Sequence, residues 1–177
     1  MDQITQEHIL LRDRLALSYT RRWVINPTHR EGNVAEHTFR VMAIALFLLD
    51  YCRNRPTIGG FQIDTLHLMF DVIDHDIDEV HTGDIPSTGK HKTGIVPPEP
   101  DPMIRLRKVA DSLETYTFWC QWGVHTISNM PHNPFDNPQG QWETKRVLAY
   151  TEGWPELREG AAEVLKLMGV HMQGVSH

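Results

Sequence analysis

The chain has 177 residues, with 23 acidic against 17 basic side chains and a formal net charge of -6. That length suits one domain over residues 1–177, able to bury roughly 70% of the surface its unfolded form exposes. The acidic balance excludes the broad basic footprint of a protein that grips a nucleic-acid polymer or a membrane surface. Cys52 and Cys120 stand singly beside aromatic residues, as small hydrophobes of a reducing compartment do, and imply no disulfide framework. The longest apolar run, over residues 41–49, is far short of the ~18 that a membrane span needs. The beginning of the chain lacks a basic-then-apolar signal pattern, so a soluble, cytoplasmic protein is expected.

Residues 4–24 place Leu11, Leu15, Ser18, Tyr19 and Arg22 at three- and four-residue steps with charges between them, which predicts an amphipathic helix. Arg22 and Trp23 close it. The guanidinium either caps the helix or grips a phosphate, and the indole either packs in the core or stacks on a base. After the turn at Asn26 and Pro27, a second helix is predicted over residues 34–52, with His37, Val41, Ala45 and Leu48 on one stripe. A lone histidine at the polar start of such a face serves as a hydrogen-bonded core residue or as a ligand.

Asp64 is a natural N-cap for a third helix running through Leu66, Met69, Phe70 and Ile73 to His75. His67, about two turns before His75, is read as structural and able to face the core. His75, Asp76 and Glu79 fall within little more than one turn, just before the breaks at Gly83 and Pro86. Residues four apart share a helix face, so this stretch reads as a metal site at a helix end whose remaining ligands come from elsewhere in the chain.

Residues 86–102 are rich in Pro and Gly and carry Lys90, His91 and Lys92, as a loop or cationic lid over an anion site would. A fourth helix is predicted over 103–128, with Leu106, Val109, Leu113 and Tyr116 inward and Asp111 facing either water or a site. A loop at 130–140 and two closing helices, at 141–150 and 155–169, complete an all-α bundle; no convincing strand alternation is present. Two imidazoles and two carboxylates, His37, His75, Asp76 and Asp111, on three successive helices suit a divalent metal of mixed N/O preference: Co, Mn, Zn, Fe or Mg.

The ordered motifs Asn33-Val34-Ala35-Glu36-His37-Thr38, His75-Asp76 with Glu79 and Thr82-Gly83-Asp84-Ile85-Pro86, and Ala110-Asp111-Ser112-Leu113-Glu114 resemble the HD-domain phosphohydrolases over roughly residues 10 to 120. The Arg22-Trp23 pair resembles the small bacterial 5′-deoxynucleotidases. In the place of their Thr-Pro-Val-Lys stands Ser87-Thr88-Gly89-Lys90, which keeps the lysine and exchanges a proline for a glycine. The chain also resembles short phage enzymes that hydrolyse dATP to deoxyadenosine and triphosphate, in viruses that use 2-aminoadenine.

The resemblance implies a single-domain HD-type helical bundle. His37, His75, Asp76 and Asp111 would bind the metal, with Glu79 as general acid/base. Arg22 and Lys90 would hold phosphate, Thr88 would contact the substrate, and Trp23 and Ile25 would line the base. It further implies a deoxynucleotide substrate, dATP foremost, and a homo-oligomer; the charge of a triphosphate would call for additional Mg. A dNMP 5′-nucleotidase and a non-catalytic nucleotide sensor are the rival readings.

Overall fold

The computed structural model describes residues 3–22, 30–54, 63–83, 101–122 and 138–175. The first helix, α1, spans Gln3–Ala16 and passes through a 3-10 turn, Leu17–Tyr19, into a two-residue strand β1, Arg21–Arg22. It therefore ends well before residue 24, the predicted limit. The hydroxyls of Ser18 and Thr20 donate to the carbonyls of Leu15 (2.8 Å) and Ala16 (3.4 Å), taking bonds that amides of a continuing helix would make. Released from the helix, β1 pairs antiparallel with β2, Gly32–Asn33, in the register Arg21 with Asn33 and Arg22 with Gly32. This ribbon, absent from the sequence prediction, ties Arg22 to the start of the next helix.

That helix, α2, spans Val34–Arg53, and the Asn33 side chain caps it by accepting from the Glu36 amide at 2.8 Å. Its buried residues include His37, Val41, Ala45 and Leu48, the predicted stripe. Helix α3, Thr65–Asp74, starts under the expected cap, Asp64, which accepts from the amides of Leu66 and His67. Its buried face excludes His67, which was expected to be able to face the core. Leu68 and Val72 point inward, whereas Leu66, His67 and Phe70 are exposed. Apolar residues surround this short helix, so its pattern carries the period without the phase.

A four-residue helix α4, Glu79–Thr82, follows, closed by Gly83 at φ 73°, a value that favours glycine. Three longer helices remain: α5 (Pro102–Trp122), α6 (Pro138–Tyr150) and α7 (Pro155–Leu167). Each opens on proline, whose missing N–H costs nothing in the first turn. Residues 138–140 therefore belong to α6 and not to a loop.

The all-α class holds, with the two-residue ribbon as its one exception among the described residues. Helix α5 is the axis: α2, α3, α6 and α7 all pack on it, and Leu106, Val109, Ala110 and Leu113 are fully buried. Helices α2 and α7 approach closely at Gly160, where a Cβ would lie 3.1 Å from Leu48 and Tyr51. No described helix is long and apolar enough to cross a membrane. Cys52 and Cys120 are free and partly buried, and burial pushes their thiols up to about 12 and about 11, respectively, as suits packing residues rather than nucleophiles.

A candidate metal centre on the inner face of α2, α3 and α5

Helix α3 gives way at Asp74, and the backbone continues in tight turns: the amide of Ile77 donates to Asp74 (3.2 Å) and that of Glu79 to Asp76 (3.0 Å). His75 and Glu79 are therefore not one turn apart on a continuous helix, as the spacing suggested. The turn directs the side chains of both His75, 3% exposed, and Asp76, 18% exposed, into the bundle.

There they meet His37 from α2 and Asp111 from α5. One donor atom each from His37, His75 and Asp76 lies within 4.8 Å of the other two. Asp111 joins through His37, its Oδ1 lying 3.4 Å from Nε2, while Asp76 Oδ2 lies 3.4 Å from that nitrogen and 3.1 Å from His75 Nε2.

Both rings are oriented from behind. His75 Nδ1 is 2.6 Å from the carbonyl of Val72, to which only a ring N–H can bond. His37 Nδ1 is 2.5 Å from Glu114 Oε2 and also 2.6 Å from the Arg22 guanidinium. One nitrogen cannot serve both a carboxylate and a cationic donor. With the proton on Nδ1, His37 donates to Glu114, and Arg22 keeps its own bond to the same oxygen at 2.9 Å. In both histidines this leaves Nε2 facing the cluster, as a lone pair in the neutral ring and as an N–H in the protonated one.

These two buried Nε2 atoms have no hydrogen-bond partner. Imidazole nitrogens fixed through Nδ1–H and pointed at carboxylates are the usual arrangement of protein metal sites. The residues present therefore fit a divalent cation of mixed N/O preference.

Electrostatics agree. Burial opposes charge on Asp76 and Asp111, yet the imidazoles, joined at Asp111 by Arg146, hold both carboxyls well below the ordinary range. Burial and Arg22 work against a charged His37, but Glu114, Asp111 and Asp76 outweigh them and raise its pKa well above 6.5. The cluster is a seat for positive charge, which a proton or a metal ion supplies.

Around this seat lie groups to which the sequence reading gave no role. Glu114, 1% exposed, sits between His37, Arg22 and Arg40 (3.0 Å). Its signal was its place one turn after Asp111 on the same helix. Arg146 from α6 reaches Asp111 at 3.1 Å. Burial lowers the pKa of Lys108, which also feels Asp111 and Asp76.

Of the remaining predicted residues, Glu79 is buried at 3% exposure, outside the compact donor set. Arg22 is at the site, held by Glu114 and, at 3.3 Å, by Thr115. Trp23, Ile25, Thr88 and Lys90 lie outside the described residues, as does the predicted lid.

Comparisons with known proteins find likenesses in sequence and in fold. Residues 13–97 match the sequence model of the family described as 5′-deoxynucleotidase YfbR-like. A dATP triphosphohydrolase of Salmonella phage PMBT28 is 34% identical over 77 residues; the match covers 42% of this chain and 39% of the relative, so well under half of that protein's length is spanned. A solved structure of the HD phosphohydrolase of cyanophage S-2L, DatZ, described as bound to dA and one catalytic Zn2+ ion, superposes with a TM-score of 0.67 at 18% identity. The superposition covers 89% of this chain and 95% of that one. At that identity the likeness establishes a shared fold.

Proposed function

We propose that this chain, an HD-type phosphohydrolase in its motif order, its fold and its relatives, hydrolyses deoxynucleotides with a divalent metal, and that its foremost substrate is dATP, cleaved to deoxyadenosine and triphosphate. One observation carries the reading: two buried imidazoles, each fixed through Nδ1, aim unpartnered Nε2 atoms at the carboxylates Asp76 and Asp111. His37, His75, Asp76 and Asp111 would hold the cation, which when bound acidifies water and neutralises phosphoryl charge.

The chain's own groups do the rest. Arg22 is the guanidinium nearest His37 and, by turning from Glu114, can meet a phosphate oxygen in a forked contact. Lys90 and Thr88 add contacts to the phosphate chain, Lys108 adds positive charge near Asp111, and further Mg accompanies a triphosphate. Glu79 takes the proton of the attacking water or gives one to the departing 5′-oxygen. Trp23 stacks on the purine and Ile25 closes its 2-position, where a 2-amino group would clash.

A 5′-deoxynucleotidase acting on dNMP is the second reading, and the family match over residues 13–97 favours it. A non-catalytic nucleotide sensor is a third, from another class; it lacks a use for a buried Glu79. We place the protein in the cytoplasm, that of the host if the gene is a phage's, as a homo-oligomer.

A panel of dNTPs, NTPs and dNMPs with Co2+, Mn2+ or Mg2+ tests the assignment. Triphosphate and deoxyadenosine from dATP are expected; phosphate from dNMP alone would transfer the assignment to the nucleotidase. Glu79→Gln should retain metal and lose about 100- to 10,000-fold in kcat. Full turnover in that variant removes the acid/base role.

A further inference from the structure

We propose that Arg146 is a positioning residue for Asp111: it occupies one carboxylate oxygen so that the other alone is offered to the cation. The inference rests on the metal reading above and concerns α6, which lies beyond the motifs that suggested it.

Arg146 is 6% exposed, and its guanidinium spans two anions. One terminal nitrogen donates to Glu143 Oε2, one turn earlier on the same helix, and the other to Asp111 Oδ2, both at 3.1 Å. Asp111 faces the cluster with its opposite oxygen, Oδ1, 3.4 Å from His37 Nε2. The two oxygens of one carboxylate thus have separate partners.

A buried guanidinium needs a counter-ion, and Glu143, fully buried itself, already supplies it. The guanidinium nonetheless places its other terminal nitrogen on Asp111, so this carboxylate is held from α6 on the side away from the cluster. A carboxylate binds a cation through one oxygen or both. Engaging Oδ2 in a charge-assisted bond withdraws it from that competition and fixes the plane in which Oδ1 presents its lone pair.

Affinity alone would be a poor readout, because removing Arg146 also removes a positive charge and so favours cation binding. The geometry of coordination has an unambiguous sign. Cobalt(II) with fewer ligands absorbs visible light more strongly than six-coordinate cobalt(II), so a change from one to two Asp111 oxygens weakens the bands.

The test is the visible spectrum of the full chain loaded with Co2+, as wild type, Arg146→Gln and Arg146→Lys, together with steady-state kinetics. Arg146→Gln should keep the metal with weaker bands and lose about 10- to 100-fold in kcat at little change in KM. Arg146→Lys, which keeps the positive charge and a longer reach than glutamine, should recover part of both. A wild-type spectrum in Arg146→Gln overturns the proposal. Should that variant fail to fold, Glu143→Gln loosens the same guanidinium from behind and should weaken the bands to a smaller degree; an unaltered spectrum there overturns it equally. Absence of any cobalt spectrum in the wild type would instead refute the metal reading on which this rests.

Discussion

Helices α5 and α1 break the same rule in opposite senses. On α5, Ser112, Glu114, Thr115 and Thr117 are buried along with the hydrocarbon. On α1, Leu11 and Leu15 are 57% and 65% exposed, while Asp13 is buried. Helix α1 docks through its polar face: Asp13 meets His81 at 3.2 Å, and Arg14 forks onto Asp74 at 2.8 and 2.7 Å and lies over the Phe70 ring. Burial of charge is tolerated where every charge has partners, and both helices provide them. The difference is consequence. The charges of α5 converge on a cluster whose donors suit a cation, whereas those of α1 fasten one element to its neighbours.

The comparison predicts unequal costs. The largest should come from α5. Asp111→Ala removes a donor from the cluster and should leave the chain with little or no bound metal after dialysis; unchanged content by elemental analysis would remove Asp111 from the ligand set. Glu114→Ala should unseat His37 and leave Arg22 and Arg40 without their shared anion, at about 3–5 kcal/mol of stability. Glu114→Gln keeps an oxygen for the His37 N–H and should fold, with metal binding weaker by about 10- to 100-fold. Metal affinity equal to wild type in Glu114→Gln would reduce Glu114 to a packing role.

Much of this contrast was readable from residues. The stripe of α2, the Asp64 cap and the closing helices follow from spacing and residue type, because long regular helices convert sequence period into a face, whereas the gathering of His37, His75 and Asp76 was implied by the order of the motifs and the family they resemble. Three things were not readable. Around α3 the apolar residues leave the phase undetermined, and only the structure shows Leu68 and Val72 buried with Leu66 and Phe70 exposed. The exit from α1 depends on hydroxyls capturing carbonyls, a local competition that periodicity does not record. Glu114, Glu143 and Arg146 carry charges that any sequence rule sends to the surface; only their pairing in space explains their burial.

The polar docking of α1 should cost far less to disturb. The Arg14–Asp74 pair is about one-quarter to one-third exposed, so solvent screens it, and its contribution with the Phe70 contact is about 1 kcal/mol. Arg14→Ala should therefore accelerate hydrogen exchange along α1 while the melting temperature of the whole changes little. Exchange no faster than wild type would show that Asp13 and its partners suffice to hold the helix.

The smallest effect on stability belongs to the outer face of α1. Leu11 and Leu15 stand one turn apart with more than half their surface in water, so Leu11→Ser with Leu15→Ser should alter the stability of an isolated chain by no more than about 0.5 kcal/mol. That indifference makes the pair a clean probe of assembly. If copies of the chain associate through this face, the double variant should give a smaller mass by light scattering with its metal content intact, because two serines forfeit apolar area only where a neighbour had covered it. A mass equal to wild type would place the contacts between copies elsewhere and leave α1 as a helix that faces water with leucines and the protein with charge.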